Sequence, residues 1–146
     1  MTQRLILHIG HPKTGTTTLQ KTLQASRPAL IDAGILHPDT GNNPNHKILI
    51  PHLTSGVSTI RQLEPNPAKL AKNSAKRWSS VTHEVSTLKP NTIILSSESF
   101  SSVTGSDALR LLSSHLKPLA SEITIAAYLR EPASLAVSRA QQNIKR

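Results

Sequence analysis

The chain contains no cysteine, which excludes disulfides, thiolate metal sites and cysteine nucleophiles. It has one tryptophan, one tyrosine and one phenylalanine in 146 residues. Stacking platforms for single-stranded nucleic acid are therefore scarce, and no nucleic-acid partner is expected. No apolar run approaches the roughly 20 residues needed to cross a bilayer. The N-terminus enters its first strand candidate without a signal-peptide pattern, so the expectation is a cytoplasmic chain with no membrane partner. Acidic residues are also few: eight Asp and Glu stand against seventeen Lys and Arg, for a formal charge of +9. That balance suits a polyanionic ligand, although the basic residues are scattered and form no long run.

What is present begins with Leu5 to Gln20, LILHIGHPKTGTTTLQ. An apolar run ends in a glycine-punctuated loop that opens directly into a helical pattern. Helix N-termini leave backbone N–H groups unpaired and carry the positive end of the dipole, so this order makes an anion cradle. Gly10 and Gly15 have the separation of a Walker A loop, but Thr16 and Thr17 follow where Lys and Ser/Thr belong. The loop's only lysine, Lys13, sits inside it and meets an anion from another side. An ordinary ATP- or GTP-hydrolysing site is thereby disfavoured.

A second segment, Glu122 to Leu129, reads as a buried strand, apolar at most positions. It runs into Arg130-Glu131-Pro132, with Pro132 suited to the first turn of a helix that carries Ser138. Between the two segments, Thr92 to Leu95 is a short strand candidate followed by Ser96-Ser97-Glu98-Ser99-Phe100. Ligand crevices of open α/β sheets lie at such strand ends. Glu98 thus reads as a carboxylate in the same crevice as the loop, or as a helix cap, or as a Walker B acid holding magnesium.

The string Pro12-Lys13-Thr14-Gly15-Thr16-Thr17 resembles the 5′-phosphosulfate loop of sulfotransferases that use 3′-phosphoadenosine 5′-phosphosulfate (PAPS). Arg130 and Ser138 resemble that family's 3′-phosphate motif, in the expected chain order. The resemblance implies a P-loop-like three-layer α/β domain over residues 1–146. It implies cosubstrate binding by His11, Lys13, Thr14, Gly15, Thr16, Thr17, Thr18, Arg130 and Ser138. It further implies catalysis by Lys13, which stabilises the leaving oxygen, and by Glu98 as acceptor base. PAPS would be the cosubstrate, no metal would be required, and the acceptor would be a small molecule or glycan offering a hydroxyl or amine. Members of the family continue past the 3′-phosphate helix, so the resemblance implies an incomplete domain, truncated at the C-terminus, or one completed by a partner chain. An atypical P-loop kinase or NTPase and a non-catalytic anion-binding remnant are the alternatives.

The remaining pattern places elements around these motifs. A helix is expected to start within residues 14–17, break near Pro28 and stop at Gly34. Asn66 and Pro67 read as N-cap and first residue of a helix whose stripe is Leu70, Ser74, Trp78, Val81, Val85 and Leu88. Ser106 and Asp107 open a shorter helix bearing Leu109, Leu112 and Leu116. Strands alternating with helices predict a mostly parallel sheet covered on both faces. Of the seven histidines, none forms the tight pairs of a zinc site. His8 reads as a hydrogen-bonded packing residue, and His46 as lining an acceptor pocket.

Overall fold

Apolar runs rich in Ile and Leu cannot stay exposed on both faces, and here they pair side by side in one direction. The computed structural model describes residues 2–10, 14–41, 43–54 and 66–144. Its strands are β1 (Thr2–Gly10), β2 (Ile35–Leu36), β3 (Thr92–Ser96) and β4 (Ala120–Tyr128). Its helices are α1 (Thr16–Ala25), α2 (Arg27–Asp32), α3 (Pro67–Leu88), α4 (Ser106–Leu116) and α5 (Pro132–Ile144). Short 3₁₀ turns occupy His46–Leu49 and Glu98–Ser102. The four strands form an all-parallel sheet in the order β2-β3-β1-β4, so the fold is α/β.

Register assigns the faces. Leu5 pairs with Ile93 and Leu7 with Leu95, and all four are buried on one face. Trp78, Val81 and Val85 of α3 and Leu112 and Leu116 of α4 belong to the same core. On the opposite face Ile6, His8 and Ile94 line an apolar groove with Leu19 and Leu23 of α1. Helices thus cover both sides of β1 and β3, giving three layers.

Local signals act largely as their chemistry dictates. The Asn66 side chain accepts the N–H groups of Ala68 and Lys69, and Pro67 is the first residue of α3. Leu70, Ser74, Trp78, Val81 and Val85 are buried, whereas Leu88, at the frayed end of the stripe, is exposed. Lys89 ends α3 with φ 47°, in the left-handed region. The first helix divides at Ser26, and Pro28 lies in the first turn of α2, where its missing N–H is harmless. Gly34 follows with φ 75°. An ion pair between Arg27 and Glu84 joins α2 to α3, and Glu84 also accepts the Asp39 N–H at 3.0 Å.

One expectation about burial is overturned. β4 is an edge strand, and most of its residues are exposed. Ile125 is 64% exposed although it is paired with buried Leu7, because the helices that bury Leu7 do not reach across β4. Leu109 is 50% exposed as well, although it stands on the same helix face as buried Leu116. An apolar sequence specifies a strand, but burial needs a covering element as well.

Trp78 anchors the core by shape and by one bond. Its Nε1–H donates to the Leu49 carbonyl at 2.9 Å, and its ring stacks on His115 at 4.5 Å. Trp78→Phe keeps much of the volume but strips a buried carbonyl of its donor, and should cost about 1–3 kcal/mol in urea unfolding. Trp78→Ala should cost about 3–5 kcal/mol. Equal losses for the two variants would show that the indole's volume contributes nothing.

Candidate functional site

The C-terminal ends of β1 and β3 lie side by side, with His8 paired to Ser96. Parallel register puts both side chains on the α1 face, and His8 Nδ1 and Ser96 Oγ are 2.8 Å apart. Gln20, one turn after Thr16 on the inward face of α1, donates Nε2–H to Ser96 Oγ at 3.2 Å. The same amide reaches Glu98 Oε2 at 3.3 Å. Asn45 donates its own Nδ2–H to that oxygen at 3.0 Å. Glu98, the first residue after its Ser97 N-cap, is therefore fixed by two amides against the start of α1. Among the described residues nothing bonds to Glu98 Oε1.

The Ser97 hydroxyl, not Glu98, caps the 3₁₀ turn by accepting the Ser99 N–H at 3.1 Å. The Glu98 carboxylate bonds to Gln20 and Asn45 instead. Gln20 and Asn45 are partners that the sequence reading missed. The available signal was Gln20 on the helix face that packs on the sheet, since a buried amide needs a polar partner.

The loop side of the crevice is built by β1 and α1. Gly15 takes φ 80°, a conformation that favours glycine, and directs the chain into α1 without a side-chain cap. The Thr18 N–H donates to the Gly15 carbonyl at 3.2 Å, and the N–H groups of Thr16 and Thr17 are those that such a helix start presents to an anion. Thr16 is buried, Thr14 is half-buried, and Thr17 and Thr18 are exposed. A Cβ on Gly10 would stand 3.7 Å from Thr14 Oγ1 and 3.8 Å from His8 Nε2, which locates His8 at the base of the loop. His8 Nε2 is buried and has no hydrogen-bond partner among the described residues. Burial pushes the His8 pKa down, and the nearby Glu98 charge opposes that shift. His11 and Lys13 lie outside the described residues.

On the far side, Gly10 pairs with Tyr128, so the end of β4 flanks the same loop. Arg130 follows it, exposed, between β4 and α5. Glu131 caps α5: its carboxylate accepts the N–H groups of Ser134 at 2.8 Å and Ala133 at 3.0 Å. Those two bonds hold its pKa below the usual carboxylate range. Pro132 is the first residue of α5, as the sequence implies, and Ser138 lies on that helix, its side chain outside the described atoms. Among the described residues no group of three His, Asp or Glu side chains is placed to hold a metal, and no helix is long and apolar enough to cross a membrane.

His46 does not line a pocket, contrary to expectation. It is fully buried, with Nδ1 accepting the Ser96 N–H at 2.8 Å and Nε2–H donating to the Pro38 carbonyl at 2.9 Å. Accepting from a backbone N–H requires an unprotonated Nδ1, so the ring is neutral. Its neighbours Asn45 and Lys47 do line a cavity, of about 650 Å³, with Asn43, Asn73, Lys76 and Arg77. The residues beside it face this cavity, whereas the histidine turns inward.

His37 stacks on His46, with ring centroids 4.4 Å apart. Burial, with the Arg27 charge adding to it, lowers the His37 pKa to about 4. Burial and His37 lower that of His46 to about 3. Unfolded histidine titrates near 6.5, so below that pH the unfolded chain binds protons that the folded chain refuses. Stability is thus complete above about pH 6.5 and falls toward pH 4, by up to about 1.4 kcal/mol per pH unit for each histidine. Urea midpoints taken between about pH 7.5 and pH 5 should show this slope, and His37→Phe should make it roughly half as steep. A flat profile would show that neither ring is held neutral. Comparison leaves the site to be read from its own residues: no family model matches the chain, and no curated protein or solved structure matches it significantly.

Proposed function

We propose that this chain is a P-loop-like sulfotransferase domain that uses PAPS to sulfate an acceptor hydroxyl or amine. The observation that carries the proposal is the convergence of Gln20 and Asn45 on Glu98. It holds a base-capable carboxylate against the helix whose N-terminus opens the loop bearing Lys13. The residues present fit an anionic cosubstrate. A helix start without a side-chain cap, a His8 Nε2 buried with no partner among the described residues, and a loop rich in threonine hydroxyls supply polar groups where such an anion would sit.

In this reading PAPS supplies an activated sulfuryl group on a good leaving phosphate. Glu98 takes the proton of the attacking acceptor at Oε1. Gln20 and Asn45 hold that carboxylate still, so that its geometry is set before the acceptor arrives. Lys13 and the loop N–H groups stabilise the charge that develops on the leaving oxygen. Thr14, Gly15, Thr16, Thr17 and Thr18 hold the 5′ side, with His11 beside them. Arg130 and Ser138 read the 3′-phosphate.

Glu98→Gln tests the base. In the wild-type chain both donors converge on Oε2, so a carboxamide oxygen can keep both bonds and the fold should persist. Sulfuryl transfer should fall by about 10²–10⁴-fold while 3′,5′-bisphosphoadenosine still binds. Retained turnover would remove Glu98 from the mechanism. Loss of a magnesium-dependent ATP affinity in the same variant would point to an NTPase.

Recognition of a 3′-phosphate separates this reading from every ordinary nucleotide site. Charge-assisted hydrogen bonds contribute about 1.5–3 kcal/mol each. Arg130→Ala combined with Ser138→Ala should therefore weaken 3′,5′-bisphosphoadenosine binding by roughly two orders of magnitude. Affinity for adenosine 5′-phosphate should barely change. Calorimetry that showed equal weakening of both ligands, or a wild-type preference for ATP with magnesium, would overturn the assignment.

A further inference from the structure

Next to Glu98 lies a second feature that the transfer chemistry leaves unused. The cavity of about 650 Å³ is walled by α3 on one side and by residues 40–48 on the other. Its polar lining is of two kinds. Lys47, Lys76 and Arg77 bring three cations and no lining residue is acidic; Asn43, Asn45 and Asn73 bring three amides. Arg77 leans across the cleft, its guanidinium 3.6 Å from where a Cβ on Gly41 would stand. Ile48 is its one aliphatic lining residue and there is no aromatic ring, but carbon atoms supply more of the lined surface than polar atoms do. Asn45 belongs to both places, since it lines the cleft and donates to Glu98 at 3.0 Å.

We infer that this cleft is the acceptor site and that it selects a polyhydroxylated anion, a saccharide carrying carboxylate or sulfate groups. This rests on the sulfotransferase reading and names the class of its acceptor. Amide side chains offer a donor and an acceptor together, the pairing that vicinal hydroxyls satisfy. The three cations need an anion to match them once solvent is displaced. A flat aromatic acceptor would find no ring to stack on. A saccharide seated on Asn43 and Asn73 with its charge at Lys76 and Arg77 can extend past Asn45, which brings a free hydroxyl to the Glu98 carboxylate.

The test is calorimetry on the intact chain at physiological ionic strength, with two probes that differ in charge alone. One is a tetrasaccharide of alternating glucuronic acid and N-acetylglucosamine; the other is its carboxyl-reduced form. The acidic probe should bind at least about tenfold tighter. Lys76→Ala with Arg77→Ala, both exposed on α3, should erase that preference. The double variant should bind 3′,5′-bisphosphoadenosine as the wild type does, which also reports that it is folded. Lys47→Met should reduce the preference in part. Equal binding of the two saccharides, or a preference that survives the double change, would overturn the inference; intact bisphosphate binding would then leave the sulfotransferase reading standing. Acid-selective binding in a chain that ignores the bisphosphate would uphold the cleft and sink that reading. Tighter binding of a single-stranded oligonucleotide through the same two cations would overturn the saccharide in favour of nucleic acid.

Discussion

β2 is two residues long, and that brevity creates the constraint around which the site is organised. Successive N–H groups of a strand point to opposite sides. The Ser97 N–H turns toward β1 and meets the His8 carbonyl at 3.1 Å. The Ser96 N–H turns the other way, where β2 has already ended at Leu36. A buried N–H without a partner costs about 1–3 kcal/mol. His46 Nδ1 takes the place of the missing strand, and its Nε2–H fastens the ring to Pro38. The side chain of one buried histidine thus completes the sheet and pins the segment after β2. Its immediate neighbours are placed as a consequence: Asn45 comes to rest on Glu98, and Lys47 on the rim of the cation-lined cleft.

Topology places the rest. β1 leads to β2 on one side of the sheet, whereas β3 crosses past β1 to reach β4 on the other. Connections that leave neighbouring strands in opposite directions open a crevice at their C-terminal ends, where ligands of α/β proteins bind. The loop from β1 and the Glu98 turn from β3 both fall there. Their chemical complementarity is also positional: a helix start on one wall, a carboxylate on the next. Gln20 spans the two by reaching Ser96 and Glu98 with one amide. That amide is the contact through which a shift of α1 would be felt at the carboxylate.

Much of this was legible in the sequence, and the exceptions have a common cause. The strands at Thr92 and Glu122, the Asn66 cap, Pro132 and the α3 stripe depend on neighbours within a few residues, so local pattern is enough to find them. The exposure of Ile125 and Leu109 depends on which element covers them, and the direction of His46 depends on where β2 stops. Neither is encoded within a short window. The partnership of Asn45 with Glu98 spans 53 positions and follows from the histidine next to it. Residue types at the crevice could be read directly; the hydrogen bonds that orient them could not.

His8 gives the last step. Ser96 Oγ accepts from Gln20 at 3.2 Å and shares a hydrogen bond of 2.8 Å with His8 Nδ1. His8 Nε2 lies buried at the base of the loop and has no hydrogen-bond partner among the described residues. A residue needed only for packing could be an apolar side chain of similar shape, without the cost of a buried polar atom left open. An imidazole beside a helix start can complete its bonding when a ligand reaches the crevice. The same low polarity that keeps the imidazole neutral strengthens each hydrogen bond it then makes. Ser96 therefore serves both walls at once, orienting His8 through its side chain and holding His46 through its backbone.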